Sequence, residues 1–233
     1  MRSLDDVQRL VRERSPLRPE ETEDVIRKRY AALPRRLAFA LERWPLDRAR
    51  VLDIGCSWGH CLVHFGDGSV GIDSAVAHVE FCRALGLDAR VADANAGIDV
   101  PDHAFDYIWV SDVIEHLDAP RLLLRSVAPK LKADGRLILF LSVLPQSRLA
   151  RAALRRKGIR PFDADAHHHQ FTCDTAKYMV ERAGYAVEGV AVPFGGHALA
   201  PLLRVATPRL YIEARPDPAA AAAAAAAEAR NRG

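Results

Sequence analysis

The sequence predicts an α/β fold, a doubly wound and mostly parallel sheet of seven strands preceded by N-terminal helices. Three observations carry that expectation. From residue 50 onward short apolar runs alternate with helical stretches, which is the pattern of βαβ units. The first run leads into a turn holding Gly55 and Gly59, and a chain of acids stands at the ends of successive runs.

Taken in order, residues 3–14 read as a helix with Leu4, Val7, Leu10 and Val11 on one face, ended by Ser15, Pro16 and Pro19. Thr22 is the expected cap of a second helix, which Pro34 kinks or restarts and which closes near Trp44 and Pro45. Strands are expected at 50–54, 69–73, 89–93, 105–111, 135–142, 185–192 and 209–215. Helices fall at about 59–65, 75–85, 119–131 and 174–183, and right-handed crossovers should join parallel neighbours. The nine alanines of 219–227 favour helix, yet they bring no second apolar residue type to dock, so a mobile tail is expected over 216–233.

The composition fits a globular chain with 49% apolar and 27% charged residues, long enough to bury a substantial core. No apolar run approaches the length of a membrane span, and MRSLDDVQRLVRERS lacks the continuous apolar segment of a secretory signal. Cys56, Cys61, Cys82 and Cys173 form no CxxC pair and have no zinc-like spacing, so reduced, unligated thiols and a cytoplasmic location are expected. Charge is uneven: residues 51–120 hold 2 basic against 12 acidic residues, and residues 121–160 hold 11 basic against 1 acidic. Such asymmetry suggests different ligands for two faces, although clustered charge on solvated helices would look the same.

In VLDIGCSWG a strand delivers Asp53 and a turn follows, where small residues let a ligand approach the backbone. A dinucleotide fingerprint starting at Gly55 would need glycine at 57 and 60, and Ser57 and His60 stand there. A nicotinamide-dependent oxidoreductase is thereby disfavoured. Asp53, Asp73, Asp93 and Asp112 are read as ending the first four strands, where open α/β sheets bind ligands. Each acid singly could be a helix cap. Together they suit a ligand carrying cations and hydroxyl or amine donors.

VLDIGCSWG, GIDSA, VADA, FDYIWVSDVIEHL and LKADGRLILFLS resemble, in order and spacing, the class I S-adenosylmethionine-dependent methyltransferases, in particular the small-molecule branch that includes ubiquinone biosynthesis. The resemblance implies a Rossmann-like domain over 48–215 between an N-terminal helical cap (1–47) and the alanine-rich tail, with strand order 3-2-1-4-5-7-6 and the last strand antiparallel. It also implies S-adenosyl-L-methionine as cofactor. By it the loop of Gly55, Cys56 and Ser57 wraps the methionine part, with Asp53 at its base, and Asp73 with Ser74 meets the ribose. Asp93 and Ala94 meet the adenine, and Ser111 and Asp112 lie beside the cofactor. The chain departs from the family at Ser57, where a third glycine is usual. Because serine adopts positive φ less readily, the loop is expected to sit in an ordinary backbone region there.

If the acceptor must lose a proton, His116 and the triplet His167, His168 and His169 are candidate bases, with a hydrogen-bonded helix-start residue the plain alternative for His116. The segment HHHQFTCDTAKYMVERAGY resembles a family stretch in which a histidine precedes Phe-Thr and a helix. That favours His167, leaves His168 and His169 exposed, has Phe171 packing, and makes Thr172 or Asp174 the cap. RLARAALRRKGIR puts Arg148, Arg151 and Arg155 on one stripe that could attract an anionic acceptor or simply face solvent. The expected partner is a small-molecule acceptor. Nucleic acid is not expected, because the basic block lacks interleaved aromatics, and no membrane partner is expected. Two alternatives stand beside this reading. One is a non-catalytic cofactor-binding module. The other is an RNA methyltransferase with a metal site, since Asp112, Glu115, His116 and His167 resemble the metal site of the enzymes that methylate small-RNA ends. No metal ligand is assigned, because Asp112 is shorter than glutamate and is expected to serve the cofactor.

Overall fold

A computed structural model describes residues 2–145, 147–156, 167–193 and 208–230. The strands are β1 (Val51–Ile54), β2 (Val70–Asp73), β3 (Asp88–Val91), β4 (Phe105–Ser111), β5 (Leu131–Ser142), β6 (Tyr185–Ala191) and β7 (Arg209–Pro216). They form one seven-stranded sheet in the order β3-β2-β1-β4-β5-β7-β6. β2 pairs parallel with β1 and β3, and β7 runs antiparallel to β5 and β6. This is the Rossmann-like arrangement that the resemblance implied.

The chain packs as two compact units, the first comprising Met1–Trp109 with Lys130–Ala133. Its helices are α1 (Leu4–Arg14), α2 (Pro19–Val25), α3 (Arg35–Arg43) and α4 (Val76–Ala84). α1 begins where the Ser3 side chain accepts from the Asp6 amide, and it buries Val7 and Val11 one turn apart. α2 starts at Pro19, which suits a first helical position, so Thr22 is not its cap. Thr22 lies buried inside the helix instead, and its hydroxyl donates to Ser15 Oγ at 2.8 Å. α2 runs on into a π-helical turn, Ile26–Tyr30, and α3 restarts after Pro34. The stretch 59–65, expected to be a helix, holds only a 3-10 turn over Leu62–His64.

Residues 2–47 contribute to the core of the first unit. Val7, Val11, Val25, Ile26 and Tyr30 share one apolar cluster with Val63, Phe81 and Leu85. Burying each such side chain contributes roughly 1.5–3 kcal/mol toward the cost of ordering α1 and α2.

The second unit comprises Val110–Pro129 and Asp134–Gly233. It holds α5 (Pro120–Val127), α6 (Arg148–Arg156), α7 (Cys173–Arg182) and α8 (Pro218–Arg230). Thr172 caps α7 by accepting from the Thr175 amide, as expected. Tyr185, fully buried on β6, donates to the Leu124 carbonyl at 2.7 Å and ties α5 to the sheet. The alanine run forms α8, and the start of that helix is docked. The Asp217 amide donates to Gly184 O at 2.9 Å, and a Cβ at Gly184 would come within 2.9 Å of Ala221 Cβ. Alanine docks here because its small side chain lets two backbones approach, a route that the absence of large apolar residues does not close. No helix among the described residues is long and apolar enough to cross a membrane.

Candidate active site

In the first unit β1 carries Asp53 into a buried position, 2% exposed, and leaves its Oδ2 without a hydrogen-bond partner. Burial pushes this carboxyl up to about 7; the Arg36 charge opposes the shift and the Asp73 charge adds to it. Past β1 the chain turns back on β2, where the Gly55 and Cys56 amides both donate to Ile72 O. Gly55 and Gly59 have φ of 77° and 74°. A Cβ at Gly59 would come within 2.8 Å of Cys82 Sγ, so the loop needs glycine there for conformation and for space.

Ser57 has φ 50°, which corrects the expectation of an ordinary backbone region. A non-glycine residue held there costs on the order of 1 kcal/mol or more and persists only where its surroundings fix it. They do so here. The Ser57 amide donates to Asp73 Oδ2 at 2.8 Å, Cys82 Sγ donates to Ser57 O at 3.4 Å, and the Tyr30 hydroxyl donates to the Trp58 carbonyl.

Asp73, half-buried at the end of β2, also accepts at Oδ1 from the Ala75 amide (2.9 Å) and pairs with His78 Nδ1 (3.1 Å). A carboxylate has about four acceptor positions, so Asp73 organises the loop and keeps little capacity for a diol. Ser74 beside it is exposed. Asp93 does not end β3, which stops at Val91; it lies exposed in the following turn, where its Oδ1 accepts from the Asn95 amide at 2.9 Å. Ala94 is half-buried in the same turn.

The sequence reading missed Arg36 and His60. Arg36 Nη2 lies 2.7 Å from His60 Nε2. A guanidinium can only donate, so Nε2 accepts and the ring proton sits on Nδ1, a buried atom with no partner. Burial, followed by the Arg36 charge, pushes His60 down to about 3 and keeps it neutral. The cluster thus holds a buried acceptor at Asp53 and a buried donor at His60, and the Arg36 charge acts on both. That set fits the ammonium and carboxylate of an amino-acid group. The basic pair after Pro34 and the histidine after Gly59 were visible, but nothing in the sequence joined them.

In the second unit β4 ends on Ser111, whose Oγ is buried without a partner. Asp112 has φ 53°, and its amide donates to Phe140 O at 2.9 Å. Arg209, stacked over the Phe140 ring, donates to Asp112 Oδ1 at 2.5 Å. Asp112 is therefore ion-paired within its own unit. A 3-10 turn over Ile114–His116 follows. Glu115 is 1% exposed; its Oε1 accepts from the Ser142 amide at 3.4 Å, and Oε2 has no partner. Burial pushes its carboxyl above the usual range, and the Asp112 charge adds to the rise.

His116 and His167 meet ring to ring, centroids 4.7 Å apart in a T-shaped contact. One ligand atom from each of Glu115, His116 and His167 lies within 4.8 Å of the others, a set that could hold a metal ion. The rest of the triplet points elsewhere: His168 pairs with Asp118 at 3.1 Å, and His169, only half-buried, lies against Phe171. Phe171 packs as expected, 7% exposed. On the basic stripe Arg148 is exposed and Arg151 half-buried, whereas the Arg155 side chain and residues 157–160 lie outside the described residues.

Residues 25–190 match the family described as Methyltransferase domain. The ubiquinone biosynthesis O-methyltransferase of Xanthomonas oryzae pv. oryzae is 33% identical over 132 residues, which cover 53% of this chain and 54% of that protein. The chain spans about half the length of the curated relatives it matches. Two solved structures share the fold. An S-adenosylmethionine-dependent methyltransferase from Mesorhizobium loti is 19% identical, covering 76% of this chain and 95% of that one with a TM-score of 0.55. A Thermotoga maritima methyltransferase described as a possible histamine N-methyltransferase is also 19% identical, covering 91% and 99% with a TM-score of 0.60. With the glycine loop, the buried acid of β1 and the β2 acid already in place, the chain belongs to the methyltransferase-domain family.

Proposed function

We propose that this enzyme methylates an oxygen atom of a small-molecule acceptor, using His116 and His167 to take up the acceptor's proton. The contact of those two rings beside Glu115 is the observation that carries the reading. The name of the partly covered Xanthomonas relative supports oxygen as the accepting atom. S-adenosylmethionine supplies the methyl group and, as a sulfonium, its own leaving group.

The chain's residues do the rest by binding and orientation. The Gly55–Cys56–Ser57 loop wraps the methionine part, Asp53 receives its ammonium, and Arg36 and His60 receive its carboxylate. Ser74 and the one acceptor position that Asp73 keeps serve the ribose, Asp93 and Ala94 the adenine, and Ser111 and Asp112 the edge of the cofactor. An imidazole of His116 or His167 would accept the hydroxyl proton of the acceptor and so leave its oxygen free to take the methyl group. Four buried free thiols support a reducing, cytoplasmic setting.

The test is methyl-label transfer to panels of small phenols, alcohols, amines and structured RNA, with calorimetry for S-adenosylmethionine and NAD. Transfer to a phenol or alcohol is the expected result. Transfer confined to amines or to RNA would replace the reading.

A second reading is favoured by the Glu115, His116 and His167 set, in which a buried carboxylate oxygen lacks a partner. Two imidazoles and one carboxylate suit Zn²⁺ or Mn²⁺, and such an ion would lower the pKa of an acceptor hydroxyl. Asp112 is no ligand in this version, since Arg209 already engages it. Metal analysis of the purified chain and of Glu115→Gln should then give about one ion and far less than one. Equal content in both, or full activity in chelator, would return the two histidines to base chemistry.

A further inference from the structure

The left-handed Ser57 needs support that a glycine would not, and part of that support comes from outside the βαβ unit. Two of the three ties on the Ser57–Trp58 backbone come from β2 and α4, through Asp73 and Cys82. The third comes from Tyr30, at the end of the π-helical turn that extends α2. An inserted residue of this kind turns the following side chains by about 100° around the helix axis, so it sets the direction in which Tyr30 leaves α2.

Tyr30 is fixed on several sides. It is 2% exposed, its carbonyl accepts from Gln8 Nε2 at 2.8 Å, and its ring lies 6.5 Å from that of Phe81. Trp58, the residue whose carbonyl it holds, packs edge-on against the same Phe81 ring at 5.1 Å. Burial keeps the Tyr30 phenol protonated, so it remains a donor throughout the working pH range.

We propose that Tyr30 is a positioning residue for the cofactor loop, holding Ser57 in a conformation that serine would not keep alone and so making cofactor affinity depend on the N-terminal helices. The inference rests on the reading that residues 55–59 hold the methionine part of S-adenosylmethionine. Tyr30 acts through the Trp58 carbonyl, and no contact with the cofactor is required of it. The chain would thereby replace the conformational freedom of a glycine with a hydrogen bond delivered from another element.

Calorimetric binding of S-adenosylmethionine to four proteins tests this: wild type, Tyr30→Phe, Ser57→Gly and the double variant. Tyr30→Phe should weaken binding about tenfold in the serine background, the size of one lost buried hydrogen bond. In the Ser57→Gly background the same change should cost less than about threefold, because glycine keeps the loop conformation unaided. Equal losses in the two backgrounds would reduce Tyr30 to general packing and overturn the proposal, as would no loss in either. Gln8→Ala, which loosens Tyr30 from its carbonyl side, gives a milder second cycle if Tyr30→Phe does not fold. It should show the same dependence on residue 57, and its absence would count equally against the idea. Failure of the wild-type chain itself to bind would remove the loop reading and the inference together, a result distinct from equal losses.

Discussion

His116→Ala and His167→Ala should each slow methyl transfer at saturating substrates by about 10²–10⁴-fold, the range of a lost general base. Affinity for S-adenosylmethionine should stay within about twofold, because neither ring belongs to the unit that holds Asp53 and the glycine loop. The two rings meet at 4.7 Å, so the double variant should lose little more than the worse single one. Initial rates and calorimetry on the same preparations measure both quantities. Full rates in both single variants would leave the pair a packing contact.

Asp53 should make cofactor binding pH-dependent. Its carboxyl titrates near 3.8 in the unfolded chain and near 7 in the folded one. The cofactor is cationic and favours the ionised form, so binding releases a proton at acid pH. Affinity should therefore rise by up to about tenfold per pH unit between roughly 5 and 7 and level off above that. The stability of the cofactor-free chain runs the other way. A raised folded pKa gives stability that is complete below about 4 and is lost as pH climbs to about 7, on the order of 4 kcal/mol at most. Asp53→Asn should flatten both curves, weakening binding at pH 8 while stabilising the free protein. An unchanged affinity slope in that variant would assign the titration to another group.

Those two sites were legible in the sequence to different depths. The strands of the sheet were readable because each is a short apolar run bounded by a turn, and none moved by more than a few residues apart from the early start of β5. Lys132, near that start, is held by Asp106 at 2.6 Å, a pairing across 26 positions that no local pattern announces. The stretch 59–65 has helical spacing, but its residues are spent on a glycine turn and one 3-10 turn. Ser57 shows the same limit. Its local preference was read correctly, and its conformation is decided by Asp73, Cys82 and Tyr30, which lie 16, 25 and about 27 positions away. His116 with His167 could be joined only by resemblance. Arg36 with His60 carried no signal at all, because neither residue belongs to a motif.

The cluster shared by α1, α2 and α4 bears on where this enzyme can be cut. A fragment starting at Val51 would keep every strand of the sheet and all four of the acids Asp53, Asp73, Asp93 and Asp112. It would also bare Val63, Phe81 and Leu85, which the leading helices now cover, along with the reverse side of Trp58. An uncovered apolar patch of that kind invites self-association. Minimising the catalytic domain to its βαβ core would thus yield a chain prone to aggregate before its cofactor loop could be assayed.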